Sequence, residues 1–148
     1  MCLSVEVSGL FTIEGLRQLI QYTDADAALP IQDPARGILW LPWGRRREES
    51  GTLPATGWLV DAESLPEGWE RFRPTPVQAR VCRFMEVTED GEERWFEVDD
   101  GQTLRCLLLR HGDEQRVYVV TARDAGERYR SRPATRALAE CGGFGALS

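Results

Sequence analysis

Between residues 77 and 121 the chain alternates short apolar runs with turn signals, and this pattern constrains the fold more than any other feature. Three of the turns carry a glycine beside an aspartate: TEDGE, DDGQ and HGDEQ. Asp-Gly or Gly-Asp between apolar runs is the sequence signal of a β-hairpin. We therefore predict a β-meander built from VQARVCRFMEV, RWFEV, TLRCLLLR and RVYVVT.

Two helices are predicted to flank these strands. The segment TIEGLRQLIQY begins at Thr12, a candidate N-cap, and its apolar side chains recur at helical spacing. Those side chains are Ile13, Leu16, Leu19 and Ile20. Near the other end of the chain, PATRALAEC is followed by two glycines, which predicts a terminal helix with a glycine stop.

The remaining segments complete the fold prediction. ILWLPW is typical of a short buried strand that ends at Pro42, whereas DADAALPIQDPARG and GRRREESG are typical of loops. The stretch SLPEGWERFRPTP predicts irregular backbone with one helical turn. We therefore predict an α+β fold with a β-meander or barrel-like core and short flanking helices, in a single domain over residues 1–148.

The net charge of −6 does not exclude a nucleic-acid partner, because the charges are unevenly placed. Residues 86–100 hold eight acids and one arginine, whereas residues 71–83 hold four arginines and no acid. Residues 116–136 hold six arginines and two acids. All 18 basic residues are arginine, and a planar guanidinium can bind a phosphate through two hydrogen bonds. A basic surface is therefore compatible with one acidic hairpin.

The composition argues against several other classes of protein. No apolar run approaches the roughly 20 residues of a membrane span, and the first residues lack the basic and apolar regions of a signal peptide. We therefore expect a cytoplasmic chain with reduced thiols and no membrane partner. There is no CxxC pair and there is one histidine, so we predict no metal and no cofactor. We also expect a monomer.

The most reactive position in the sequence is Cys2, directly after Met1. Methionine aminopeptidase removes Met1 when the next side chain is small, which would leave Cys2 with a free α-amine and a thiol. These groups titrate near about 7.7–8.0 and about 8.5, so both nucleophiles are partly available at neutral pH. Such a 1,2-aminothiol condenses with an aldehyde and closes a five-membered thiazolidine. The alternative is that cysteine occupies position 2 by chance.

Four segments of the chain occur in an informative order: MC at the start, ILWLPW in the first third, then RFMEV, and RYRSRP after VYVVT. Together they resemble the SRAP domain, that of the SOS response-associated peptidase family, and the resemblance covers most of the chain. That family shields abasic sites in single-stranded DNA. The resemblance implies that single-stranded DNA with abasic sites is the partner.

The resemblance assigns chemistry to two residues. Cys2 matches the family's nucleophile, which forms a thiazolidine with the ring-opened sugar aldehyde of an abasic site. Glu86, in RFMEV, matches a glutamate that serves as acid and base near the sugar. The alternative for Glu86 is a solvated position, because Arg80, Cys82, Phe84 and Glu86 share one face of a strand by alternation.

The resemblance also implies contacts to DNA. Trp43 stands where the family has an aromatic side chain that stacks on bases, and Arg45 begins the arginine-rich segment that follows. Arg130 and Arg132 stand where the family has a phosphate-binding arginine before a proline. The alternatives are a tryptophan in the core and arginines exposed on a loop.

The chain departs from the family pattern in ways that bear on the chemistry. It contains no asparagine, so the family's sugar-orienting asparagine is absent. Tyr129 stands in the place of the family's histidine; it could donate a hydrogen bond, but with a pKa near roughly 10 it is a poor base at neutral pH. Leu3 and Ser4 replace a Gly-Arg pair, and Val87 replaces a tryptophan.

Three functions are compatible with these residues. The first is a divergent abasic-site protein that crosslinks DNA through Cys2 in the DNA damage response. The second is a catalytically degenerate SRAP-like module that binds DNA or protein without covalent chemistry, which the missing asparagine and histidine favour. The third is peptide hydrolysis or autoproteolysis with Cys2 as an N-terminal nucleophile and its own amine as base.

Overall fold

The computed structural model describes residues 2–59, 64–87, 90–99, 101–123 and 129–131, and these ranges form a nearly all-β fold. The strands are β1 (Cys2–Val7), β2 (Gln18–Gln21), β3 (Ala28–Asp33), β4 (Gly37–Pro42), β5 (Trp58–Leu59), β6 (Thr75–Ala79), β7 (Arg83–Val87), β8 (Glu93–Glu97), β9 (Leu104–His111), β10 (Glu114–Arg123) and β11 (Tyr129–Ser131). The helical segments within these ranges are two 3₁₀ turns, Gly9–Phe11 and Trp69–Phe72.

The strands form two sheets. The smaller sheet has the order β2-β1-β7-β8, and the larger has the order β11-β10-β9-β6-β3-β4, with β5 joined to β10 at a branch. Neither sheet closes on itself within the described ranges. The α+β prediction with a barrel-like core is therefore wrong. The terminal helix predicted from PATRALAEC lies outside the described residues.

The helix predicted to begin at Thr12 is also wrong. The chain there forms turns, in which Gly15 has a φ of +73° and the Thr12 hydroxyl donates a hydrogen bond to the Leu16 carbonyl at 2.7 Å. Gln18–Gln21 then form β2, which pairs antiparallel with β1. Pairing with β1 satisfies the backbone polar groups on one edge of β2 and buries Ile20 alone among the four apolar side chains.

Most of the predicted strands are confirmed, but they do not form a meander. The run VQARVCRFMEV is interrupted at residues 80–82 and forms β6 and β7, which belong to different sheets. Two of the predicted turns close hairpins, since β7 pairs with β8 and β9 pairs with β10. The DDGQ turn instead carries the chain from one sheet to the other. The turn sequences therefore mark where strands end without fixing which strands pair.

Two segments differ from their predicted class. ALPIQD, expected as part of a loop, forms β3 between β6 and β4. ILWLPW is confirmed as a strand, since its first five residues form most of β4, but β4 lies at the edge of the larger sheet and is half-exposed rather than buried. The helical turn expected in SLPEGWERFRPTP is present at Trp69–Phe72.

The core lies between the two sheets. Along β9, Leu104, Cys106 and Leu108 alternate onto the face that packs with the small sheet, where Cys2, Val5, Val7 and Phe84 meet them. The other face of β9 is covered by loops rather than by a third sheet. There Trp69 and Phe72 pack with Leu109 and Tyr118 in a second, smaller core. The central strands of the larger sheet are thus apolar on both faces.

Candidate active site around Cys2 and Glu86

Cys2 begins β1, the central strand of the small sheet beside β7. The register between the two strands shifts between Cys2 and Ser4, so β1 carries a β-bulge at Leu3. An extra residue in one strand re-aims the side chains on either side of it. Cys2 therefore joins Val5 and Val7 in the core, and it has no exposed surface.

Glu86 lies directly opposite Cys2 in this register. Side chains directly opposite in an antiparallel pair have Cβ atoms about 4.5–5.5 Å apart. Glu86 lies on the face of β7 that carries Phe84 into the core, and only 3% of its surface is exposed. The solvated alternative for Glu86 is therefore wrong. Glutamate is rarely buried so completely unless it has a specific partner, so a buried carboxyl beside a buried thiol is a candidate site.

Cys106 is a second thiol near this point. It lies on β9 of the facing sheet and is buried in the same core cluster as Cys2. Burial raises the pKa of the Cys106 thiol far above its usual range, and the charge of the neighbouring Cys2 raises it further. A thiol held in its protonated form is a weak nucleophile. Cys106 therefore packs beside Cys2 as a small apolar side chain.

Strand β11 brings a further part of the chain close to β7, the strand that carries Glu86. It pairs with the end of β10, with Tyr129 opposite Arg123 and Arg130 opposite Ala122, and it also contacts β7. The backbone of Tyr129, the residue in the place of the family's histidine, thus lies on a strand next to the one that carries Glu86. Arg132 lies outside the described residues.

Arg94 is a residue of this neighbourhood that the sequence reasoning missed. It lies opposite Glu86 on the other side of β7, so Cys2, Glu86 and Arg94 form a line across three strands. Its guanidinium is about half exposed and donates to the Glu92 carboxylate at 2.8 Å. The TEDGE turn carried the signal, because a hairpin closed at that point places Glu86 and Arg94 opposite one another.

Trp43 does not contribute an exposed aromatic surface. Its ring is fully buried, its indole N–H donates to the Gly57 carbonyl at 2.9 Å, and Tyr22 contacts it edge-on. The prediction that Trp43 stacks on bases is therefore wrong, and the alternative, a tryptophan in the core, is confirmed. A buried indole with its N–H satisfied contributes packing rather than base recognition.

The arginine-rich segment after Trp43 is an ordered part of the fold. Arg45 donates to the backbone carbonyls of Leu53 and Glu49, both at 2.6 Å. Arg46 is 94% buried and donates to four backbone carbonyls. The segment is a loop, as expected, and the guanidinium groups of Arg45 and Arg46 are engaged within the protein.

Glu6 organises the surface end of β1. Its carboxylate accepts two hydrogen bonds from Arg83, both at 3.0 Å, and one from Arg17 at 3.1 Å. Its backbone carbonyl accepts from the Cys82 N–H at 2.8 Å. The hydrogen bonds from Arg83 hold the pKa of the Glu6 carboxyl below its ordinary value of 4.5. Glu6 therefore stabilises the β1–β7 pairing at the end of the strands away from Cys2.

We expect Glu6→Gln to lower the free energy of unfolding by about 1 kcal/mol at pH 7, since both arginines are partly exposed. A carboxyl whose pKa is lowered in the folded state stabilises above its ordinary pKa, and this contribution is lost as the pH falls through the lowered value. The difference from wild type should therefore be full above pH 4.5 and shrink below it. Urea unfolding between pH 3 and 7 measures this, and a difference that grows on acidification contradicts it.

Two classes of residue arrangement are absent from the described ranges. No group of three or more His, Cys, Asp or Glu side chains there is placed to hold a metal ion. No helix there has the length and apolar character that crossing a membrane requires.

No protein-family model, curated protein or solved structure matches this chain. The resemblance to the SRAP family therefore stays a prediction, which rests on the sequence motifs.

Proposed function

We propose that this chain is a divergent, cytoplasmic, monomeric SRAP-like protein that binds single-stranded DNA and forms a thiazolidine crosslink with abasic sites through Cys2. The observation that supports the proposal is the register of β1 and β7, which sets Cys2 directly opposite the buried Glu86. The strand that carries Tyr129 contacts β7 as well. Cys2 and Glu86, which are far apart in the sequence, are thus neighbours across two strands, and this supports the proposal.

The proposed reaction uses the α-amine and the thiol of Cys2 once Met1 has been removed. The amine adds to the aldehyde carbon of the ring-opened sugar, and the oxygen leaves as water to give an imine. The thiol then adds to the imine carbon and its proton passes to the nitrogen, so that overall the water carries away one hydrogen of the amine and one of the thiol. Glu86 is proposed to carry these protons, accepting one from the nucleophile and donating one to the departing oxygen, which is general acid–base catalysis.

The second candidate is a SRAP-like module that binds without covalent chemistry. The complete burial of Cys2 favours it, because a thiol in the core cannot meet a bulky sugar. That burial describes the chain with Met1 still attached. The two candidates therefore differ in whether removal of Met1 makes the amine and thiol of Cys2 reactive.

A crosslinking gel separates the two candidates. Protein whose loss of Met1 is confirmed by intact mass is incubated with a single-stranded oligonucleotide that carries one abasic site. We expect a heat-stable shifted band that disappears in Cys2→Ala and with an undamaged oligonucleotide. Crosslinking through other amines should be low, because the sequence contains no lysine. The α-amine is therefore the one aliphatic amine able to attack the aldehyde.

Cys82→Ala is the matched control, because Cys82 is a partly exposed thiol whose Sγ donates to the Glu6 carbonyl instead of facing Glu86. It should crosslink like the wild type. Absence of a band over several hours, with Met1 removal confirmed, overturns the crosslinking proposal. A native mobility shift with the same oligonucleotide then decides whether the non-covalent module binds DNA.

A further inference from the structure

The largest cluster of exposed apolar side chains in the described residues lies on the segment that joins β1 to β2 and on β2 itself. Six large apolar side chains are exposed in the described ranges, and four of them lie between residues 10 and 19. They are Leu10, Ile13, Leu16 and Leu19. Isolated exposed apolar residues are ordinary, but a contiguous group of this kind marks an interaction surface.

The loop that carries these side chains has a defined shape. Gly9 and Gly15 approach so closely that a Cβ added to Gly9 would lie 2.3 Å from the Gly15 carbonyl oxygen. The Thr12 hydroxyl closes the loop on the Leu16 carbonyl. The loop therefore holds Ile13 and Leu16 in fixed positions, and both side chains are exposed in that conformation.

A groove of about 870 Å³ runs beside this loop. Ile13, Leu16 and Leu19 line it together with Trp40 of β4. The Trp40 indole N–H donates to the Phe11 carbonyl at 3.1 Å, which fixes the ring against the loop. The groove thus has apolar walls held by backbone contacts.

The groove follows an open strand edge. β2 ends the small sheet, and in the described part of the chain it pairs with β1 alone. The Tyr22 N–H donates to the Leu3 carbonyl across this pair, so by alternation the N–H groups of Leu19 and Gln21 point away from β1. An extended peptide can pair with such an edge, with affinity from backbone hydrogen bonds and specificity from alternate side chains.

Charge selects the kind of occupant. Glu14, Asp24 and Asp26 line the groove, and none of them forms an ion pair with a cation in the described ranges. The one lining cation, Arg17, already donates to the Glu6 carboxylate. A second copy paired symmetrically at β2 would bring its own Glu14, Asp24 and Asp26 towards these carboxylates, and a nucleic acid would bring phosphates. A basic partner would instead complement them.

We propose that the β2 edge and its groove bind an extended segment of another protein in which apolar and basic residues alternate. The apolar side chains of that segment occupy the groove between Leu16 and Trp40, and its basic side chains face Glu14, Asp24 and Asp26. Its backbone adds a strand to the small sheet at Leu19. The open edge of β2 lies on the other side of β1 from Glu86, and this proposal does not depend on the crosslinking proposal.

The test uses a fluorescein-labelled octapeptide of alternating Arg and Val, with its Glu-Val counterpart as the probe of charge. We expect anisotropy to report saturable binding of the Arg-Val peptide to the full chain and none of the Glu-Val peptide. Ile13→Ser combined with Leu16→Ser should weaken binding at least about tenfold. Because both side chains are exposed, the circular dichroism spectrum should not change.

Three matched measurements make the result specific. Leu65→Ser removes an exposed leucine that does not line the groove, and it should leave binding unchanged. Asp24→Asn with Asp26→Asn should weaken binding and flatten its salt dependence. The Arg-Val peptide with alternate backbone amides N-methylated should lose binding, because it cannot pair with β2.

Each contrary result overturns the proposal. Equal binding of the Arg-Val and Glu-Val peptides would show that charge does not select the partner. Full binding of the N-methylated peptide would show that the peptide does not pair with β2 through its backbone. Failure of the Arg-Val peptide to bind the folded wild-type chain removes the site. A dimer seen by sedimentation that disappears in the Ile13→Ser, Leu16→Ser variant would make a second copy the occupant. None of these results bears on the crosslinking gel.

Discussion

Replacing Arg46 with alanine should lower the free energy of unfolding by about 3–5 kcal/mol, the largest loss of stability that we expect from any substitution discussed here. Arg46 is 94% buried. It donates to the carbonyls of Tyr22, Trp43 and Gly44 at 2.6, 2.9 and 3.0 Å, and it forms an ion pair with Glu49 at 3.2 Å. Alanine would leave the Tyr22 and Trp43 carbonyls without the guanidinium donor, which costs more than the bonds themselves contribute. The Gly44 carbonyl and the Glu49 carboxylate would keep their hydrogen bonds from Arg116.

Urea unfolding of Arg46→Ala beside Arg47→Ala tests this prediction, because Arg47 is the exposed neighbour in the same loop. Arg47→Ala should change the unfolding midpoint little. Arg46→Lys should recover a minor part of the loss, since one ammonium cannot reach the carbonyls that the guanidinium fork spans. If Arg46→Ala unfolds at the same urea concentration as Arg47→Ala, the buried network does not stabilise the fold.

Replacing Glu86 with glutamine should lower the rate of crosslink formation by about 10²–10⁴-fold, the range for removing a positioned acid or base. This expectation rests on the proposed function. Glutamine has the shape of glutamate but cannot carry a proton between the amine and the departing oxygen. The rate constant comes from single-turnover time courses with excess protein that has lost Met1.

The pH dependence distinguishes proton transfer from a structural role for Glu86. Loss of a general acid or base should change the shape of the pH–rate profile, whereas a purely structural defect should lower the rate equally at every pH. Glu97→Gln serves as the control, because Glu97 lies on the adjacent strand β8 with an exposed side chain. Crosslinking of Glu86→Gln at the wild-type rate removes Glu86 from the mechanism.

The hairpins were the most predictable part of the fold, because their signals are local. Alternating apolar residues and Asp-Gly turns correctly located β8, β9 and β10. The change of sheet at residues 80–82 carried no such signal, since each half of VQARVCRFMEV has the same strand character. The helix expected from Ile13 to Ile20 failed because the β1–β2 pairing, a tertiary contact, overrode the helical spacing.

The residues of the candidate site could be predicted from the sequence, but their pairing and burial could not. Cys2 and Glu86 followed from the resemblance, but their direct opposition depends on the register of strands about eighty residues apart. The burial of Glu86 depends on which face of β7 meets the larger sheet, which the alternation in β7 alone does not reveal. Trp43 was ambiguous for the same reason, because an indole is suited both to a core and to a base.

The position of β1 inside its sheet has a consequence for the order of events during synthesis. β1 is made first, yet one of its two neighbours, β7, is made only when residues 83–87 have left the ribosome. Until then the edge of β1 that carries Cys2 opposite Glu86 has no partner strand. The pairing of Cys2 with Glu86 therefore waits for a strand that is encoded more than halfway along the chain.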